Sequence, residues 1–106
     1  MADENAAVNT EPTLVDDVKL YLRISHTLLD SEIETVIASA RQELKRAGVD
    51  PDVADGLVAE VADLVDQAIK VYAKAYYSDT KDGEKYMESF KYQVDNLRKT
   101  YPVEES

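Results

Sequence analysis

The chain has 106 residues, 44% of them hydrophobic, with three glycines, three prolines and no cysteine; this suits one helical domain too small for a deep catalytic cleft and rules out disulfides and thiolate metal sites. Twenty-two acidic against twelve basic side chains leave a net charge of −10, which excludes tight wrapping of DNA, because affinity for phosphates comes from basic charge. No apolar run nears the ~20 residues of a membrane span, and residues 1–12 lack the basic start and apolar middle of a signal peptide, so a soluble, cytosolic protein is expected.

Residues 1–12 are polar, acidic and aperiodic and read as a disordered N-terminal arm. Thr13, with Asp16 three residues on, has the spacing of a capping box and opens a first helix. Leu14, Val18, Tyr21 and Leu22 form its apolar face, and it should stop near Leu22, where Arg23 meets the negative end of the dipole. Beyond a short connector the second helix has two possible caps, Asp30 and Ser31, and the Ser31-x-x-Glu34 spacing favours Ser31. Ile33, Val36, Ile37, Ala40, Leu44 and Ala47 are its buried face. Gly48 can take the left-handed conformation that ends a helix, with Val49 folding back on Leu44. Asp50-Pro51 is a cap followed by proline at the first helical position. Either the third helix begins there, or a separate short turn precedes a helix that starts at Leu57.

The longest helical periodicity runs over residues 57–77. Leu57, Val61, Leu64, Val65, Ala68, Ile69, Tyr72 and Tyr76 fall on one side, while Glu60, Asp63, Asp66, Gln67, Lys70 and Lys74 fall on the other. This helix is expected to be the central post of the domain. Leu64 lies on its apolar stripe, so Leu64→Ala should cost about 2 to 5 kcal/mol, while Glu60→Ala should change stability by less than about 0.5 kcal/mol. Residues 78–83 read as a turn, and a fourth helix follows over residues 84–100 with Met87, Phe90, Val94, Leu97 and Tyr101 inward. Pro102 closes it, leaving residues 102–106 as a C-terminal tail. The predicted fold is all-α: a small four-helix bundle over residues 13–101 with flexible acidic termini.

Few residues offer chemistry. Glu60-x-x-Asp63-x-x-Asp66 puts three carboxylates on neighbouring turns, a spacing that could hold Mg²⁺ in a small all-α nucleotide hydrolase. Such an enzyme needs a second acidic pair on a facing helix, and Glu32, Glu34 and Glu43 supply no matching spacing. The three lie opposite the apolar stripe and read as a solvated face. His26 is the sole histidine and has no recognisable partner. No catalytic, cofactor-binding or metal-binding residues are therefore assigned. Seven tyrosines against one phenylalanine are the stronger bias. Tyr72, Tyr76 and Tyr101 belong to apolar stripes, but Tyr77 and Tyr92 lie off them, and an exposed ring with a polar tip suits a protein interface. Arg23, Tyr77, Lys91, Tyr92 and Tyr101 are the candidate interface residues. Lys45-Arg46 and Arg98-Lys99 stand at helix C-termini, where the dipole accounts for them. A monomeric acidic adaptor or DNA mimic that binds a basic partner fits the same composition.

The stretches Leu14-Val-Asp-Asp-Val-Lys-Leu-Tyr-Leu-Arg-Ile24 and Leu29-Asp-Ser-Glu-Ile-Glu-Thr-Val-Ile-Ala-Ser-Ala-Arg41 resemble the head-tail connector (adaptor) proteins of tailed bacteriophages and prophages. Ala68-Ile-Lys-Val-Tyr-Ala-Lys-Ala-Tyr76 and Tyr86-Met-Glu-Ser-Phe-Lys-Tyr-Gln-Val-Asp-Asn-Leu97 are similar to that family's third and fourth helices, nearest to the versions from phages of Gram-positive hosts. Tyr77-Ser78-Asp79 departs from the Arg or Glu that many members carry there. The resemblance implies a non-enzymatic subunit of a dodecamer-like ring below the portal protein, which lengthens the DNA conduit and docks a stopper or tail-completion protein. DNA would pass without sequence-specific binding and no membrane would be involved. The protein would sit at the head-tail junction of the virion, and in the host cytoplasm before assembly. With ten net negative charges per copy, free subunits should repel one another and stay monomeric.

Overall fold

Capping chemistry sets most of the helix boundaries in the computed structural model, which describes residues 13–103; the expected N-terminal arm and the end of the C-terminal tail lie outside these. Helix α1 (Leu14–Leu22) opens with the expected reciprocal cap. The Asp16 N–H donates to Thr13 Oγ1 at 3.2 Å, and the Thr13 N–H donates to Asp16 Oδ2 at 3.2 Å. The helix ends on Arg23, a non-glycine residue in the left-handed region at φ 63°.

Helix α2 (Asp30–Ala47) is not capped by Ser31, as its spacing suggested. Leu29 precedes the helix without a side-chain cap, and Ser31 lies in the first turn, where its carbonyl accepts from Thr35 Oγ1. Asp30 Oδ1 instead stands 2.8 Å from Lys19 Nζ, an ammonium that α1 buries. A tertiary ion pair thus fixes the start, since a buried charge needs a partner more than a helix needs a cap. At the other end Gly48 takes φ 107°, and the Val49 N–H donates to the Leu44 carbonyl at 3.0 Å, the expected Schellman stop.

The choice left open at Asp50-Pro51 resolves as a separate one-turn helix. In α3 (Pro51–Ala54) the Asp50 carboxylate accepts from the Asp52 and Val53 N–H groups. A 3-10 turn (Ala59–Val61) then leads into α4 (Ala62–Tyr77). The expected start at Leu57 is therefore too early, and two residues of the expected stripe are outside: Leu57 is 71% exposed and Leu64 56%. The expectation that Leu64 anchors the core is wrong. Val61, Val65, Ala68 and Ile69 are buried as expected, but Val71 and Ala73 join them in place of Leu64 and the exposed Tyr76. The cause is the number of partners. Helix α4 packs against α1, α2, α3 and α5, so residues on more than one side of it are covered, while Leu64 sits at a seam that the end of α5 flanks without covering.

Helix α5 (Thr80–Thr100) begins four residues before the expected Glu84. Asp79 caps it, accepting from the Asp82 N–H at 2.9 Å. Gly83, read as a turn residue, lies inside the helix. A Cβ there would come within 3.1 Å of the Ala75 carbonyl, so the glycine lets the first turn of α5 press against the end of α4. Phe90, Val94 and Leu97 are buried in the shared core with Val18, Ile33, Leu44, Val65 and Ile69. After Tyr101 the chain turns back on the α2–α3 corner. The Asp50 N–H donates to the Tyr101 carbonyl and the Val103 N–H to the Gly48 carbonyl, each at 2.9 Å, around an isolated antiparallel bridge between Val49 and Pro102.

Candidate interaction surface

The five candidate interface residues do not form one patch. Lys74 Nζ stands 5.9 Å from the Tyr21 ring centroid, which sets the end of α1, and Arg23 beyond it, beside the last turns of α4 where Tyr77 lies. Lys91, Tyr92 and Tyr101 follow α5 toward the other end of α4. Arg23 and Lys91 are exposed, Tyr92 is 71% exposed, and Tyr101 is half-buried as the C-cap of α5. Tyr77 is not the open ring its off-stripe position suggested. It packs on the core, edge-on to Tyr76 at 5.0 Å, and its hydroxyl is buried with no hydrogen-bond partner. Burial, with the Glu32 carboxylate nearby, pushes its pKa up to about 12.

Lys91 borders a groove of about 400 Å³ between α2 and α5. Its floor is apolar and aromatic: Tyr72 and Phe90 meet at 4.9 Å with planes tilted by 58°, flanked by Met87 and Val94. Its rim is charged, with Glu43 on α2 and Asp95 and Arg98 on α5. Asp95 is paired with Lys99 and Arg98, which hold its carboxyl below the usual carboxylate range. Burial, and then Glu43, raise the Tyr72 hydroxyl pKa. Such a groove receives apolar side chains and orients them by its rim; nothing in it converges on a reacting atom. A second groove of about 180 Å³ is bounded by Leu64 and by Gln93, Asn96, Leu97, Thr100 and Tyr101 of the α5 end.

The acidic run divides. Glu60 and Asp63 face solvent, but Asp66 is half-buried, so the expectation of a wholly solvated face holds for two of the three. Burial raises the Asp66 pKa, and Arg41 and Lys70 oppose that. Arg41 also donates to the Ala54 carbonyl at 2.8 Å and lies against Gly56, whose φ of 79° and lack of a side chain admit the guanidinium. Among the described residues no group of three or more His, Cys, Asp or Glu is placed to hold a metal ion. His26 Nδ1 accepts from the Leu28 N–H at 3.2 Å. Leu20, off the apolar face of α1, and Leu28 are left in solvent, 78% and 84% exposed. The Leu28-Leu29 pair sits in a connector where no helical period applies, and only Leu29 turns inward.

The described residues thus form an all-helical domain with two shallow grooves and several exposed aliphatic and aromatic side chains. A family model described as phage connector protein matches residues 14–104, which span every helix, and the chain belongs to that family. No curated protein and no solved structure matches it. Membership carries a structural role in the phage particle, in contact with other virion components. Among the described residues no helix is long and apolar enough to cross a membrane.

Proposed function

We propose that the protein is a head-tail connector subunit: copies form a ring below the portal protein, lengthen the DNA conduit and dock the stopper or tail-completion protein. The observation that carries this is the family match over residues 14–104; the uncovered apolar surface on both ends of α4 supports it. Residues 13–101 serve as the folded unit. Charge is distributed in a way that suits assembly. Residues 13–103 hold seventeen acidic and twelve basic side chains, so five of the ten net negative charges lie outside them. Residues 13–103 thus carry half of the net charge of the whole chain. Free subunits stay monomeric, and the portal supplies a high effective concentration that brings neighbours together. A conduit wall with this net charge lets DNA slide without being held.

Deleting the gene from its phage tests the proposal. DNA-filled heads and separate tails are the expected products, with joining restored when purified protein is added. Normal tailed particles from the deletion would overturn it. The acidic adaptor would instead be recovered as a one-to-one complex with a basic partner and leave heads unchanged.

A further inference from the structure

The molecule carries an apolar knob and an apolar groove at opposite ends of α4. We propose that the α1–α2 connector of one copy, through Leu28 and Leu20, seats in the groove beside Leu64 of the next copy, making a head-to-tail contact. The inference deepens the ring reading and rests on it for its purpose.

The knob is held in place by the core. Lys19 and Asp30 pair at 2.8 Å across the base of the connector, and Lys74 over Tyr21 fixes the end of α1 beside the last turns of α4. Leu20 and Leu28 project from this rigid base into solvent. The groove lies at the first turns of α4, where Leu64 faces Leu97 and Tyr101 of α5, and no charged residue lines it. From residue 64 to residue 74 an α-helix rises about 15 Å, so knob and groove of one molecule cannot meet. Two copies can satisfy both.

Charge favours the same pairing. Residues 20–29 include Arg23 and no carboxylate, whereas residues 47–69 include six carboxylates and no Lys or Arg. Asp55 is taken by Lys45 at 2.9 Å and Asp66 faces Arg41, while Glu60 and Asp63 are exposed beside Leu64. An arriving connector therefore brings Arg23 to Glu60 and Asp63. Complementary halves on one chain define a heterologous contact, which repeats into a closed ring or an open row and not into a two-fold dimer. A contact built on two leucines and one cation falls short of the roughly 800 Å² per partner of a stable interface. It forms fully only where something else holds the copies close.

The absence of cysteine permits a direct test on the full chain. A Leu28→Cys/Asn96→Cys variant is oxidised at physiological salt beside a Leu28→Cys/Ser39→Cys control, all three positions being exposed. The expected result is a ladder of covalent multimers several-fold stronger than the control's. Adding Arg23→Glu should weaken it several-fold, and adding Glu60→Arg as well should restore it, with circular dichroism unchanged throughout. A ladder no stronger than the control, or bonds that join Leu28→Cys to Leu28→Cys alone, would overturn the contact. Failure of the ring reading shows elsewhere, as tailed particles that form without the protein whatever the ladder.

Discussion

One apolar period runs through residues 57–73, and its members differ in fate. Val65, Ala68, Ile69 and Ala73 are completely buried, whereas Leu57, which precedes α4, and Leu64, in its first turn, face solvent. Helical periodicity states which residues could be inside; neighbouring helices decide which are. From Val65 onward α4 buries residues on more than one stripe, and the helices packed on it are α1, α2, α3 and α5. At its first turn α5 is ending, and one apolar seam stays open.

Substitutions can break or sharpen that contrast. The largest effect should come from Ile69→Ala, about 2 to 5 kcal/mol in denaturant unfolding, since it leaves a cavity in a covered site. A loss no larger than that of Leu64→Ala would erase the distinction. Arg41→Ala should cost about 1.5 to 3 kcal/mol, because it removes a charged hydrogen bond to the Ala54 carbonyl. It also takes from half-buried Asp66 the cation that opposes its raised pKa most strongly. Asp66→Asn in the same chain should recover part of the loss in a double-mutant cycle; strict additivity would show that the two do not interact.

Tyr77→Phe should raise stability modestly at neutral pH, by about 1 kcal/mol, since the buried hydroxyl it removes has no partner. A further effect belongs to alkali. The Tyr77 pKa is raised in the folded state, from its ordinary value of 10.0 to about 12. The stability this represents is therefore complete below pH 10 and is lost as pH climbs toward 12. Thermal melts across that window should show a steeper decline for the parent than for the phenylalanine variant, and parallel declines would contradict the assignment. Leu64→Ala and Glu60→Ala should each shift stability by less than about 0.5 kcal/mol, as exposed sites do.

Much of the fold was legible because it was written in local chemistry. The Thr13–Asp16 cap, the Gly48 stop and the Asp50-Pro51 start need only their immediate neighbours. Where the expectations failed, a distant group was responsible. Lys19 draws Asp30 away from any capping role and so sets the start of α2. Gly83 looks like punctuation, but its purpose is the close approach of the Ala75 carbonyl one helix earlier. Tyr77 looked free because it lies off the stripe of α4, yet that side is covered as well. The exposed apolar surface was legible only in part. Tyr92 was expected outside and is exposed; the exposure of Leu28 and Leu64 was not foreseen, because an exposed leucine and a buried one are the same letter.

The bridge between Val49 and Pro102 joins backbone on either side of α3, α4 and α5. Closing so long a loop costs chain entropy before two hydrogen bonds are gained, so the bridge forms only after the helices inside it are already in place. The amide protons of Asp50 and Val103 should accordingly exchange only through openings that free the end of α5. The backbone amides of Asp50 and Val103 thus act as a latch whose state reports whether everything between them has folded.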